Sequence, residues 1–282
     1  MPRWTTYSAT AWFEHPREFV KGRPLLKCES IAGHGHRLSY GDGTVFHVSS
    51  DAGEIWASWT SPYTVEDALT YLYGPILGFA LRLRGIVCLH ASAVQIAPGR
   101  AVLFVGEARS GKSTLAAGFV HGGFPAVTED VAPIDVDTGV PTVRRGYPLI
   151  RLWDASACAL LGESEALPRL TPNWEKRGLL LGEQDFTSAR NVRIACVFVL
   201  QPREKNAVRP GFTKMNGAGA VWKLVQNTYI NYLSDRDTRA REFELLCGLA
   251  GQVPTVALTL PDDQRLLGSA CAHIAQFIAE RV

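Results

Sequence analysis

The stretch GEARSGKST, residues 106–114, follows the apolar run AVLFV and has the phosphate-loop spacing G-x-x-x-x-G-K-[ST] in Gly106, Gly111, Lys112 and Ser113. The chemistry follows from the residue types. Glycines let backbone N–H groups wrap phosphate oxygens, the start of the following helix adds partial positive charge, Lys112 suits β/γ oxygens and Ser113 suits Mg2+. Glu107, Ala108, Arg109 and Ser110 inside the loop, and Thr114 after it, complete the candidate nucleotide-binding segment.

Other residues could meet that loop in space. Glu129 and Asp130 end the apolar run FPAVTED, and a strand–loop–helix–strand unit would bring them beside the end of AVLFV. Neighbours on a strand face opposite ways, so one of the two acids is expected to look at a terminal phosphate while the other holds water or a loop. His90 closes GIVCLH, in a strand expected to precede and neighbour the loop strand; alone, in an apolar run, it reads more readily as a core histidine. In NWEKRGLLL, Glu175 is a hard oxygen donor for Mg2+, with Lys176 or Arg177 as charge for a phosphoryl group. Glu129 and Arg177 are thus further candidates for stabilising charge. The histidines of GHGH at 33–36 lack a second ligand pair and read as a turn.

The elements that must position these residues divide the chain. Residues 1–63 are rich in strand formers, with Asp42-Gly43 between two alternating runs as a hairpin signal. Thr64 with Asp67 starts a capping-box helix, expected over 64–84, that joins this β-rich module to residues 85–282. There, strands and helices alternate: IVCLHASAVQI, RAVLFVG, the helix STLAAGFVHGG, IACVFVL, the helical AVWKLVQNTYINYL and TRAREFELLCGLAG, TVALTL, and a terminal helix from about Asp262 to Arg281. Residues 140–189 show the weakest periodicity and read as a long surface excursion.

Composition narrows the class. The 282 residues carry 29 basic and 27 acidic side chains, a balance that argues against a dedicated nucleic-acid partner. The six cysteines form no CxxC pair and read as reduced core thiols of a cytoplasmic protein. The opening MPRWTTYSATAWFEHP has no secretory apolar region, and ALTYLYGPILGFALRL, broken by Pro75 and Arg82, falls short of the roughly 20 apolar residues of a membrane span, so no membrane association is expected.

His90, the phosphate loop and the acidic pair occur in an order that resembles the HPr serine kinase/phosphorylase family, whose nucleotide fold is related to that of phosphoenolpyruvate carboxykinases. The resemblance implies an α/β phosphate-loop kinase core carrying a small β-rich N-terminal module. It implies Asp130 as the base that takes a proton from a serine hydroxyl, with His90 and Lys112 as active-site groups. An E-x-R-G element on Mg2+ corresponds to Glu175, Arg177 and Gly178. LHASAV, GKSTLAAGF, GYPLIRLW, LPRLTPNWEKR and NTYINYL resemble the HPr-kinase-like branch of bacteria, some members of which lie beside lasso-peptide and related peptide-modification genes; the likeness runs from about Arg37 to the C-terminus. Glu129 replaces the family's first aspartate, the glycine-rich end after Gly178 is missing, and Glu107 and Arg109 make the loop bulkier than usual.

The expected activity is therefore ATP- and Mg2+-dependent transfer to a serine-type hydroxyl of a peptide or protein, such as a ribosomal precursor peptide. The alternatives are a small-molecule hydroxyl kinase and a nucleotide-dependent regulatory or peptide-binding module without transfer. Characterised relatives are hexamers, so a homo-oligomer is an expectation carried by the resemblance alone.

Overall fold

Alternating apolar and polar residues in the first part of the chain build an antiparallel sheet, because side chains on a strand alternate between its faces. A computed structural model describes residues 3–16, 18–20, 22–136 and 139–281. The chain divides into two units, Met1–Ile86 with Leu170–Trp174, and Val87–Arg169 with Glu175–Val282. In the first, Thr10–Glu14 (β1), Leu26–Ile31 (β2), Gly35–Tyr40 (β3), Val45–Ser49 (β4) and Ile55–Ser58 (β5) form one sheet in sequence order. Its buried face carries Cys28, Leu38, Phe46 and Val48. The Asp42-Gly43 turn joins β3 to β4, where the Asp42 carboxylate accepts from Thr44 N–H at 2.8 Å and Gly43 takes φ +99°.

The helix expected over 64–84 is broken in two, Val65–Tyr71 (α1) and Leu77–Leu83 (α2). Pro75 lacks a donor and Gly74 leaves helical geometry between them, which accounts for the break. Asp67 caps the start by accepting from Thr64 N–H at 2.8 Å. No helix among the described residues is long and apolar enough to cross a membrane.

The second unit is a mixed α/β layer structure. Its strands are Val87–Ala97 (β6), Arg100–Val105 (β7), Ala126–Thr128 (β8), Val131–Asp135 (β9), Thr142–Arg144 (β10), Leu149–Trp153 (β11), Trp174–Leu180 (β12), Asn191–Leu200 (β13), Gly211–Lys214 (β14) and Thr255–Thr259 (β15). The large sheet runs β8-β6-β9-β10-β13-β15-β14, with β7 between β6 and β13. Strands β6, β9, β10, β13 and β7 thereby pair in a closed circuit. β7, β13 and β15 run parallel, whereas β6 is antiparallel to β7, β8 and β9. Lys112–His121 (α3) and Leu267–Arg281 (α7) cover one face over Phe104, Phe119, Phe198 and Ile274. Gly217–Gln226 (α5) and Arg236–Gln252 (α6) cover the other over Leu103, Val197, Leu224 and Leu246. Two faces of one sheet thus have separate apolar cores, as its near-continuous hydrophobic strands require.

Three expectations change here. β8 pairs antiparallel with β6 instead of lying beside β7, so the acids reach the loop by a different route than a parallel crossover. Residues 140–189 are structured: β10, β11, β12 and the helix Asp154–Leu161 (α4) all fall within them, in pieces too short to show a clear period. The helical reading of AVWKLVQNTYINYL stops at Gln226. Beyond it Ile230 takes φ +46°, and Tyr229 N–H donates to Cys88 C=O at 2.8 Å, so the segment patches the edge of β6.

Candidate active site

The phosphate-loop segment turns sharply because two of its glycines adopt backbone that side chains resist. Gly111 has φ +105°, and Lys112 then begins α3, whose first-turn N–H groups lack intrahelical partners. A β-carbon on Gly106 would lie 2.9 Å from Ser110 Oγ, which is itself buried without a partner among the described residues. The Lys112 ammonium curls back to donate to the carbonyls of Gly106 at 2.8 Å and Glu107 at 2.9 Å. Burial lowers it to about 8, against the pull of Asp130 and Glu129. Thr114 Oγ1 bonds Ser156 Oγ of α4 at 2.8 Å, which ties the two helices together in the lining of the cleft. Glu107 and Ala108 are exposed.

β8 ends at Thr128, and the two acids occupy the bend before β9, with Asp130 at φ +66°. That left-handed residue breaks the alternation expected of a strand, so both carboxylates turn to the same partner. Arg151 of β11 sends Nε to Glu129 Oε2 at 3.2 Å and Nη2 to Asp130 Oδ2 at 2.6 Å. The remaining acceptor positions are also used. Ser113 Oγ donates to Glu129 Oε1 at 2.8 Å, Tyr229 O–H donates to Asp130 Oδ2 at 2.7 Å, and His90 Nε2 lies 3.2 Å from Asp130 Oδ1. The His90 and Tyr229 rings meet edge to face at 5.6 Å.

This hub separates two adjacent acids electrostatically. Burial pushes the Glu129 carboxyl up and Arg151 only partly opposes it. Burial would raise Asp130 as well, but Arg151 and the His90 and Tyr229 contacts outweigh it and hold that carboxyl well below the usual range. Burial and the Asp130 charge push Tyr229 far up, so it stays a donor. Paired groups whose environments drive them apart are a mark of proton-transfer sites.

His90, Arg109, Lys112, Ser113, Glu129, Asp130 and Glu175 line one cleft of about 710 Å³. Glu175 lies exposed on its rim. Arg177 is a correction: it does not line this cleft, because its guanidinium donates to Asp154 at 2.8 Å and to the Leu167 carbonyl at 3.1 Å. Strand alternation in β12 puts Arg177 on the face away from Lys176, and Lys176 lines the cleft instead. Sequence reasoning also gave no role to Arg151, Trp153, Tyr229 and Arg203, all at or beside the cleft. A signal existed for Arg151, the one charge inside the apolar strand LIRLW.

Among the described residues no group of three or more His, Cys, Asp or Glu side chains could hold a metal by itself. The available donors, the Ser113 hydroxyl with Glu129 and the rim carboxylate Glu175, are hard oxygens of the kind Mg2+ accepts alongside phosphate and water. They fit Mg2+ carried in with a nucleotide, and not a resident protein cage.

No protein-family model matches the chain, and no curated protein does. Among solved structures it is similar to the Hpr(Ser) kinase/phosphatase from Coxiella burnetii, with a TM-score of 0.36 and 11% identity over 68% of this chain and 92% of that one. A likeness this loose fixes neither family nor activity, and the functional reading rests on the chain's own side chains.

Proposed function

We propose that this chain is an HPr-kinase-like, Mg2+-dependent kinase that transfers the γ-phosphoryl group of ATP to a serine-type hydroxyl of a peptide or protein, with Asp130 as the proton acceptor. One observation carries the reading: a phosphate loop with its lysine shares a cleft with an ionised aspartate that a histidine, a tyrosine and an arginine hold in place.

In this reading the loop N–H groups and Lys112 bind the β- and γ-phosphates, and Lys112 leaves its two carbonyl partners to do so. Mg2+ would be held by Ser113 with Glu129 or Glu175 and supplies charge neutralisation. The acceptor oxygen forms its bond to phosphorus as the bond to the β-phosphate oxygen breaks, ADP departs, and the hydroxyl proton passes to Asp130. A strongly ionised aspartate is a weak base, which suits a loose transition state in which the hydroxyl becomes acidic only as the new bond forms. His90 orients that carboxylate.

The test is transfer from labelled ATP to hydroxyl-bearing peptides, ribosomal precursor peptides among them, and in parallel to small hydroxylated metabolites. Asp130→Asn is expected to lower transfer by roughly 10²–10⁴-fold, with nucleotide affinity retained. Transfer at the wild-type rate by that variant sinks the base assignment; labelling of metabolites alone makes the chain a small-molecule kinase; saturable binding with no labelled acceptor makes it a regulatory module.

A further inference from the structure

Arg109 is an unusual residue to find in a phosphate loop. It is exposed, with backbone φ +65°, and its guanidinium carbon lies 5.4 Å from the centre of the Trp153 ring. Lys176 Nζ lies 5.1 Å from the same centre. Trp153 and Lys176 are cross-strand partners of β11 and β12, so the sheet sets their separation while the loop delivers Arg109.

Among the described residues neither cation has a side-chain hydrogen bond or an ion pair. In the cleft, Glu129 is committed to Arg151 and Ser113, and Asp130 to Arg151, His90 and Tyr229; Glu107, in the loop itself, is exposed and makes no ion pair with Arg109 or Lys176. Glu175 and Asp262 also line the cleft without ion-pairing to either cation. Lys112 and Arg151 border the same space and add to its positive charge. Like charges gathered against one ring repel one another, and an anion between them removes that cost. The indole face holds them meanwhile by cation–π attraction. The pair stands on β12 and the exposed turn of the loop, against Trp153 of β11 and apart from the Lys112 ammonium, which donates to the Gly106 and Glu107 carbonyls.

We propose that Arg109 and Lys176, held against Trp153, form a second anion subsite that takes the terminal phosphate of a nucleoside triphosphate, so that the cleft prefers the triphosphate over the diphosphate. This rests on the nucleotide-kinase reading above. The loop N–H groups bind phosphates that both nucleotides share, Lys112 bridges the β- and γ-oxygens, and the Trp153 pair adds contacts to the terminal phosphate that only the donor has.

Titration calorimetry with ADP and with a non-hydrolysable ATP analogue, each with Mg2+, on the wild type, Arg109→Gln and Lys176→Gln tests this. Each substitution removes one charge-assisted contact, so analogue affinity should fall roughly tenfold or more while ADP affinity stays within about twofold. Arg109 is exposed, so its variant keeps the fold, and Lys176→Gln is an independent check from another element. Equal losses for both nucleotides, or no loss for either, overturn the subsite and leave the nucleotide reading standing. A wild-type chain that binds neither nucleotide overturns the nucleotide reading itself, and the subsite with it.

Discussion

Arg151→Met tests whether the hub is held together electrostatically. Met keeps the length and apolar stem of the side chain and removes the guanidinium, leaving Glu129 and Asp130 as adjacent carboxylates with Arg151 gone from 3.2 and 2.6 Å. Removing one partner of a buried pair costs about 3–5 kcal/mol. Here the low end applies, because Glu129 keeps the Ser113 hydroxyl and Asp130 keeps Tyr229 and His90. At roughly 2–4 °C per kcal/mol, a loss of about 3 kcal/mol lowers the melting temperature by roughly 6–12 °C near neutral pH. The pH dependence is the sharper readout. In the wild type Asp130 is depressed, so its stabilisation is present above the ordinary carboxylate range and is lost only as pH falls through its lower folded value. Without Arg151, burial is opposed less, by Ser113 and the Lys176 charge at Glu129 and by His90 and Tyr229 at Asp130, so both carboxyls rise; a raised carboxyl stabilises at low pH and loses that contribution as pH climbs through its folded value. Glu129 is already raised, so the wild type carries part of this slope, and the variant adds to it. Thermal melts from about pH 5 to about pH 7.5 should therefore show a gap between the two proteins that widens with pH. A gap that stays constant over that range, or a drop below about 2 °C at the upper end, refutes the electrostatic account of the hub.

Lys112 should announce nucleotide binding through protons. Burial lowers the ammonium to about 8, and phosphate contact favours its charged form, so binding at about pH 8 should take up roughly half a proton and binding at about pH 6.5 almost none. Calorimetry in buffers of different ionisation heat measures this, and zero uptake at the higher pH would show that Lys112 does not meet the phosphates. Gly111→Ala forces a side chain onto φ +105°, at about 1–2 kcal/mol, and should weaken ATP binding measurably. The clash itself is cheap, since the added carbon would meet only the movable Arg203 Nη2 at 2.8 Å. Gly248→Ala, in α6 with open space around it, should instead raise stability by up to about 1 kcal/mol, so chemical denaturation of the two variants should show opposite signs.

The loop was legible because its chemistry is contiguous: glycines, lysine and hydroxyl act through backbone that the local sequence itself bends. The hub was half legible. Glu129 and Asp130 stood out as two acids after an apolar run, yet strand alternation pointed them apart, and only the positive φ of Asp130 turns them together. No residue type announces that conformation here, since aspartate adopts it far less readily than glycine. Their shared partner lies on β11, in a segment whose pieces are too short for any period to emerge, and its pairing with β12 is nonlocal. Arg177 misled for the complementary reason. It carries the right charge in a resemblance-bearing stretch, but a strand shows neighbours to opposite faces, and Lys176 faces the cleft. A charge isolated inside a buried strand therefore pointed to the site better than a charge within a charged turn did. Burying Arg151 in LIRLW is tolerable only with partners, and two adjacent acids elsewhere in the chain are partners of the required sign.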